Sequence, residues 1–151
     1  MTFHKMTFHI VSGLGNPNEK IREDMNELYS SLDPNEKNEY LHYGDYNYNE
    51  EMSAYTLIYD STDMLVSMAH ACKMIQNDKF FVVFLKFATH ELFRNRGFAQ
   101  KCIKQVIIDT QTLKPEPWIF FIYNEDNHIL QRINQNLGFK NVTILMNSQS
   151  I

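Results

Sequence analysis

The sequence predicts an α+β domain with a central, mostly antiparallel sheet flanked by helices, and three observations carry that prediction. Stretches rich in β-branched and aromatic residues alternate with stretches whose apolar residues recur at helical spacing. Taken in order they give strand, two helices, three strands, helix, strand, helix and strand. Two runs, Phe80-Phe81-Val82-Val83-Phe84-Leu85 and Trp118-Ile119-Phe120-Phe121-Ile122-Tyr123, are almost wholly apolar. They are too short to cross a membrane and suit strands buried on both faces. The composition agrees: 151 residues, 44% hydrophobic and 21% charged, allow one domain with a real core and are short for two. No linker or low-complexity segment divides the chain, so residues 1–151 are expected to form a single domain.

The first strand is expected around Thr7–Ser12, with Gly13-Leu14-Gly15 as the turn that breaks it. Asn16-Pro17-Asn18-Glu19 reads as a helix start, with Asn16 as N-cap, Pro17 at the first helical position and Glu19 three residues after the cap. Ile21, Met25, Leu28 and Leu32 then line one helical face. Asp33-Pro34-Asn35-Glu36 repeats the signal and predicts a second, shorter helix to about Tyr43, ended by Gly44. Ser53–Tyr59 and Met64–Ile75 read as strands joined by the polar turn Asp60-Ser61-Thr62-Asp63, and the strand at Phe80 follows. A helix from about Gly97 to Thr112 carries Ala99, Ile103 and Ile107 on one face. After the buried strand Trp118–Tyr123, the run Asn124–Asn127 offers caps for a helix with Ile129, Leu130, Ile133 and Leu137. Gly138 ends that helix, and Val142–Met146 is a last strand.

Charge narrows the function. A net charge of −4 argues against a dedicated nucleic-acid binder, which normally presents a basic face. The residues at the N-terminus lack the apolar core of a signal peptide, no segment is long enough to span a membrane, and Cys72 and Cys102 read as reduced core thiols. The cytoplasm is the expected compartment, and no metal is expected. The acidity is concentrated between Asp33 and Glu51, where six acids face one base among Tyr40, Tyr43, Tyr46 and Tyr48. That segment reads either as a solvated face with half-buried rings or as the mouth of a site for a cationic ligand.

The stretch Phe87–Ile107 organises the rest. A strand feeding a helix through a basic, glycine-containing turn can hold phosphate, because the free N–H groups of the first helical turn and the helix dipole both favour an anion. A side chain at Gly97 is expected to block the approach of a ligand to the backbone.

The hexapeptide Arg94-Asn95-Arg96-Gly97-Phe98-Ala99 resembles motif A of the GNAT superfamily, the acyl-CoA-dependent N-acyltransferases, written Arg/Gln-x-x-Gly-x-Gly/Ala after a strand. The stretch Asn127 to Gly138-Phe139 resembles the superfamily's second signature, an Asn, a helix and a Gly-Phe pair. The resemblance implies a GNAT fold, a mixed sheet whose middle strands splay apart, with acetyl-CoA as cosubstrate. It implies that the backbone from Arg94 through Asn95, Arg96, Gly97 and Phe98 to Ala99 wraps the CoA pyrophosphate. Arg94 and Arg96 would add charge, although such arginines are often simply solvated. Phe87, Ala88 and Thr89 would pair their backbone with the pantetheine arm. Asn127 would sit near the arm's amides, or serve only as a helix cap.

The implied activity is N-acetyl transfer from acetyl-CoA to a primary amine, cationic if the Asp33–Glu51 segment lines the acceptor site, on a small molecule or a protein. The superfamily's usual acid, a tyrosine four residues before the glycine, is here Asn134, which can donate a hydrogen bond but cannot release a proton. The strand Phe80–Thr89 carries no carboxylate to act as base. Tyr123, His90 and Glu91 are the candidate catalytic groups beside Asn134, with His70 a further substitute. The alternative is a GNAT-fold module that binds acyl-CoA or a protein partner without turnover. Many members of the superfamily form homodimers, and no segment here marks an interface.

Overall fold

Side chains alternate across a pleated strand, so a sheet in mid-protein needs a helix on each face to cover it. The computed structural model, which describes residues 6–33, 48–76, 78–114, 117–121 and 128–139, meets that need with five strands and three α-helices among those residues. The strands are β1 (Phe8–Leu14), β2 (Tyr48–Asp60), β3 (Leu65–Gln76), β4 (Lys79–Thr89) and β5 (Trp118–Phe121). They lie in chain order, antiparallel except for the parallel pair β4–β5, as the mixed sheet of the expected fold requires. The helices are α1 (Glu19–Ser30), α2 (Phe98–Thr110) and α3 (His128–Asn136). None of the described helices is long and apolar enough to cross a membrane.

The sheet separates two cores. On one face Ala54, Ile58, Ala69, Ala71, Val82 and Phe84 meet Cys102, Ile103 and Val106 of α2 and Leu130 and Ile133 of α3. On the other, Leu57, Met68 and Ala88 meet Met25, Leu28 and Leu32 from α1 and the residues just after it. Cys72 and Cys102 are buried and stand outside any disulfide. The face of α2 that enters the core is centred on Cys102, Ile103 and Val106, while Ala99 and Ile107 are only partly buried at its margins.

Several boundaries differ from the sequence reading. β1 runs through Gly13 instead of turning there. Gly13 stands opposite Tyr55, and an added Cβ would lie 2.6 Å from the Tyr55 hydroxyl, so this glycine makes room for a ring crossing the strand. The N-cap of α1 is Asn18, not Asn16: its side chain accepts from the Ile21 N–H at 2.9 Å, and Pro17 is buried ahead of it. α1 ends at Ser30, so Leu32 joins the core from beyond the helix. Trp118 is 69% exposed although its strand was read as buried, because Ile119, on the opposite face, takes the core position. Ile129, at the second position of α3, is likewise exposed. Gly138 adopts φ 81 and ends α3 as expected. The predicted second helix near 33–43, the last strand at 142–146, Tyr123 and Asn127 lie outside the described residues.

The cap assignment has a direct consequence. Asn18→Ala should lower stability by about 1 kcal/mol in urea unfolding, whereas Asn16→Ala should leave it within a few tenths. Equal losses from the two variants would contradict the observed cap.

Candidate active site

The central irregularity is in β4. Adjacent residues of β3, His70 and Ala71, stand opposite Lys86 and Phe84, so Leu85 is an extra residue with no partner on β3. Such a bulge leaves backbone polar groups outside the ladder and reverses the side-chain parity beyond it. Val82 and Phe84 face α2 before the bulge and Phe87 faces α2 after it, while Ala88 joins the core beneath α1. β5 pairs with Phe81–Phe84 only, so among the described residues the outer edge of Leu85–Thr89 has no strand beside it.

Past Thr89 the chain closes a short 3-10 helix, Glu91–Phe93. The His90 N–H donates to the Val66 carbonyl at 2.7 Å, and His90 Nδ1 accepts from the Leu92 N–H at 3.2 Å. His90 is thus a half-buried cap, and Glu91 is exposed in the first turn. The Arg94 Nε–H donates to the Thr89 carbonyl at 3.2 Å, which ties the loop to the strand end. Asn95 (φ 64) and Gly97 (φ 77) are both left-handed, separated by Arg96. The first turn of α2 begins immediately afterwards without a side-chain cap, so its N–H groups are left to other acceptors.

Three rings fix this loop. Phe8 of β1 lies 5.8 Å from Phe93 and 4.8 Å from Phe98 between centroids, so Phe93 and the first residue of α2 are held from below. The Arg96 guanidinium stands 5.3 Å from the Phe93 ring centre. Phe98 and Phe87 therefore belong to the core through their side chains, and only their backbone can serve a ligand. A Cβ at Gly97 would meet no atom within 4 Å. No neighbour crowds that position, so it is φ that requires glycine within the protein itself.

α3 adds a buried polar group. Asn134 is 3% exposed, and its Oδ1 has no hydrogen-bond partner. Asn136 Nδ2 donates to Gln100 Oε1 at 3.4 Å, linking α3 to the first turn of α2. On the opposite face, the register places His70 beside Lys86, whose Nζ stands 5.0 Å from the ring centre of Tyr29 on α1. His70 is buried with no partner for Nε2. Burial first, then the charges of Lys86 and Arg22, lower its pKa from 6.5 to about 4.

Arg94, Asn95, Arg96, Gly97, Phe98 and Ala99 thus gather at the end of β4, with Phe87, Ala88 and Thr89 along the adjoining edge. Asn134 sits in the core beneath α3. The sequence reading missed the bulge, because a run apolar on both sides of the slip hides its phase. The one visible signal is Lys86, a lone charge in that run.

This sheet order, the bulge in β4 and the left-handed loop leading into α2 match the GNAT fold. Among solved structures, an acetyltransferase of the GNAT family from Staphylococcus aureus Mu50 superposes with a TM-score of 0.68 at 17% identity, over 91% of this chain and 86% of that one. The aminoglycoside N-acetyltransferase AAC(6')-Iy in complex with CoA gives 0.64 at 18% identity, over 97% of both chains. Glucosamine-6-phosphate N-acetyltransferase from Arabidopsis thaliana gives 0.62 at 13% identity, over 93% and 97%. No family model and no curated protein matches the chain by sequence.

The neutral His70 gives stability a defined pH dependence. The unfolded chain takes up a proton near pH 6.5 and the folded chain only near pH 4, so this penalty is absent above 6.5 and grows as the pH falls toward 4. Between pH 7 and 5 the cost is about 2 kcal/mol. Chemical denaturation of His70→Gln should show a shallower decline over that range than the unaltered chain; parallel declines would refute the assignment.

Proposed function

We propose that the chain is an N-acyltransferase that uses acetyl-CoA and an amine acceptor, working in the cytoplasm as a single domain. The observation that carries this reading is the meeting of the left-handed loop Asn95–Gly97 and the uncapped start of α2 with an edge of β4 that, among the described residues, has no strand beside it beyond the bulge. Two features favour this cosubstrate: the space before Gly97 is open, and Asn134 Oδ1 lacks the donor that an amide or thiol would supply.

In this reading the loop Arg94–Ala99 and the N-terminus of α2 bind the pyrophosphate through backbone N–H groups, with charge from Arg94 and Arg96 nearby. The edge of Phe87, Ala88 and Thr89 pairs with the pantetheine amides as with an added strand. Acetyl-CoA supplies a thioester, an acyl group already activated toward an amine. The arm then runs down β4 toward Leu85, whose bulged backbone offers a donor to the acyl oxygen as charge develops there. Asn134 orients the leaving end through Oδ1 and its amide N–H groups, and cannot itself give up a proton. His90 and Glu91 stand about 16 Å up the strand from the bulge, at the phosphate end. That distance leaves Tyr123, whose phenol can release a proton, as the proposed acid for the thiolate. Asn127 is proposed to contact the arm.

A second reading, an acyl-CoA-binding module without turnover, is favoured by Asn134 in place of a proton donor. Release of free CoA thiol from acetyl-CoA across a panel of amines separates the two. Acetyl-CoA at a hundred times its Kd should stabilise the chain by about 2.7 kcal/mol. Gly97→Glu, which puts a carboxylate into the loop, should abolish that gain, with folding confirmed by circular dichroism. No thermal shift at millimolar acetyl-CoA would defeat both readings.

A further inference from the structure

β1 forms one edge of the sheet, and among the described residues no strand stands beside its outer side. Its alignment with β2 runs unbroken from Phe8 to Leu14. Just beyond, the Gly15 N–H donates to the Ser53 carbonyl at 2.7 Å, which continues the same alignment. In an antiparallel ladder successive residues turn their N–H and C=O groups alternately toward the neighbouring strand and away from it. His9, Val11 and Gly13 therefore bond to β2, and Phe8, Ile10, Ser12 and Leu14 direct both backbone groups outward. Natural edges are commonly guarded by lysine, proline or a bulge. β1 has none of these: its one titratable residue is His9, and its register carries no shift. Ile10 and Leu14 share a face by parity, and Met6, ahead of the strand, continues their spacing of four. The three are 54%, 46% and 47% exposed, unusually open for large apolar side chains along one edge.

We infer that β1 is the interface of a homodimer, in which the β1 strands of two copies pair antiparallel about a twofold axis at Ile10 and join two sheets into one. The spacing argues for a second copy of this chain as the occupant of the edge. Met6, Ile10 and Leu14 are symmetric about Ile10, so reversing the strand there sets Ile10 against its own counterpart and Met6 against Leu14 of the second copy. Phe8 then stands opposite Ser12. Ile10, Phe8 and Ser12 all bond outward, as the hydrogen-bonded pairs of such a ladder require. An axis at Val11 would set Ile10 against Ser12, and one at Ser12 would leave Met6 beyond the paired stretch. On the other face His9 meets Val11, so no like charges oppose each other in the strand although each copy carries a net charge of −4. The helix α1 packs chiefly on β3 and β4, away from this edge. Because both copies use the same strand, association closes at two. Pairing of this length buries less than a standard interface of about 1,600 Å², so a dissociation constant in the micromolar range is expected. The inference is independent of the acyltransferase reading.

Sedimentation velocity of the full chain across a micromolar concentration series tests the interface. It should show a passage from monomer to dimer and no larger species. Ile10→Lys brings two like charges together at the axis and should raise the dissociation constant about tenfold or more, as should Ile10→Glu. An equimolar mixture of those two variants should regain the dimer, because the axis sets position 10 against itself. Ser12→Pro removes an outward N–H and leaves the ladder to β2 intact, so it should weaken the dimer with the circular dichroism spectrum unchanged. A chain that stays monomeric throughout the series would overturn the inference. So would a dimer that persists in Ile10→Lys, a mixture of the two variants that stays monomeric, or growth beyond a dimer. Ile10 is half exposed and its side chain lies outside both cores, so the Ile10 variants decide the matter even if Ser12→Pro fails to fold.

Discussion

One extra residue in β4 governs the rest of the structure. Without Leu85 as a bulge, the alternation that buries Val82 and Phe84 beneath α2 would carry Lys86 to that same closed core and Phe87 to the opposite face. Burying a lysine without a partner costs several kcal/mol, so the slip is what allows a charged residue to stand within a run that is otherwise apolar. Backbone groups outside the β3–β4 ladder and a lysine on the α1 face therefore both follow from a single change of phase.

The upper end of β4 obeys a different constraint. Two left-handed residues within three positions cost conformational energy, of which Asn95 bears more than Gly97. What holds them is hydrophobic: Phe8, Phe93 and Phe98 clamp the loop from beneath, and Arg94 bonds back to Thr89. Aromatic pairs of this kind contribute about 0.5–1.5 kcal/mol each beyond the area they bury, enough to offset strain of that size. The loop is thus held by the protein's own core, and Phe8 explains why β1, three strands away from β4 in the sheet, matters to it.

Much of this was legible in the sequence. The element order and the Arg94–Ala99 loop follow from periodicity and from residue types that only a few conformations accommodate. Errors arose where one residue had two physical uses. Gly13 looks like a turn but clears a path for the Tyr55 ring, and Asn16 looks like a cap although Asn18 is better placed to be one. The bulge was hidden because apolar residues lie on both sides of it, so a shift of phase leaves the pattern unchanged. Which neighbours surround His70 depends on strand register and on the lateral placement of α1, neither of which is written locally in the sequence.

Among the described residues Thr56 Oγ1, Asn134 Oδ1 and His70 Nε2 are buried without partners, and the last two lie on opposite faces of the sheet. Each costs about 1–3 kcal/mol in the unliganded protein, a large share of the stability of a domain this size. Neither can be dismissed as a surface group that water would satisfy, since both residues are more than nine-tenths buried. The two also differ in kind. Asn134 is an acceptor short of a donor among apolar residues of α3, whereas His70 is a neutral ring held so by burial and by cations. The sheet therefore sets an acceptor without a donor on the α2 side and a neutral ring close to Lys86 on the α1 side.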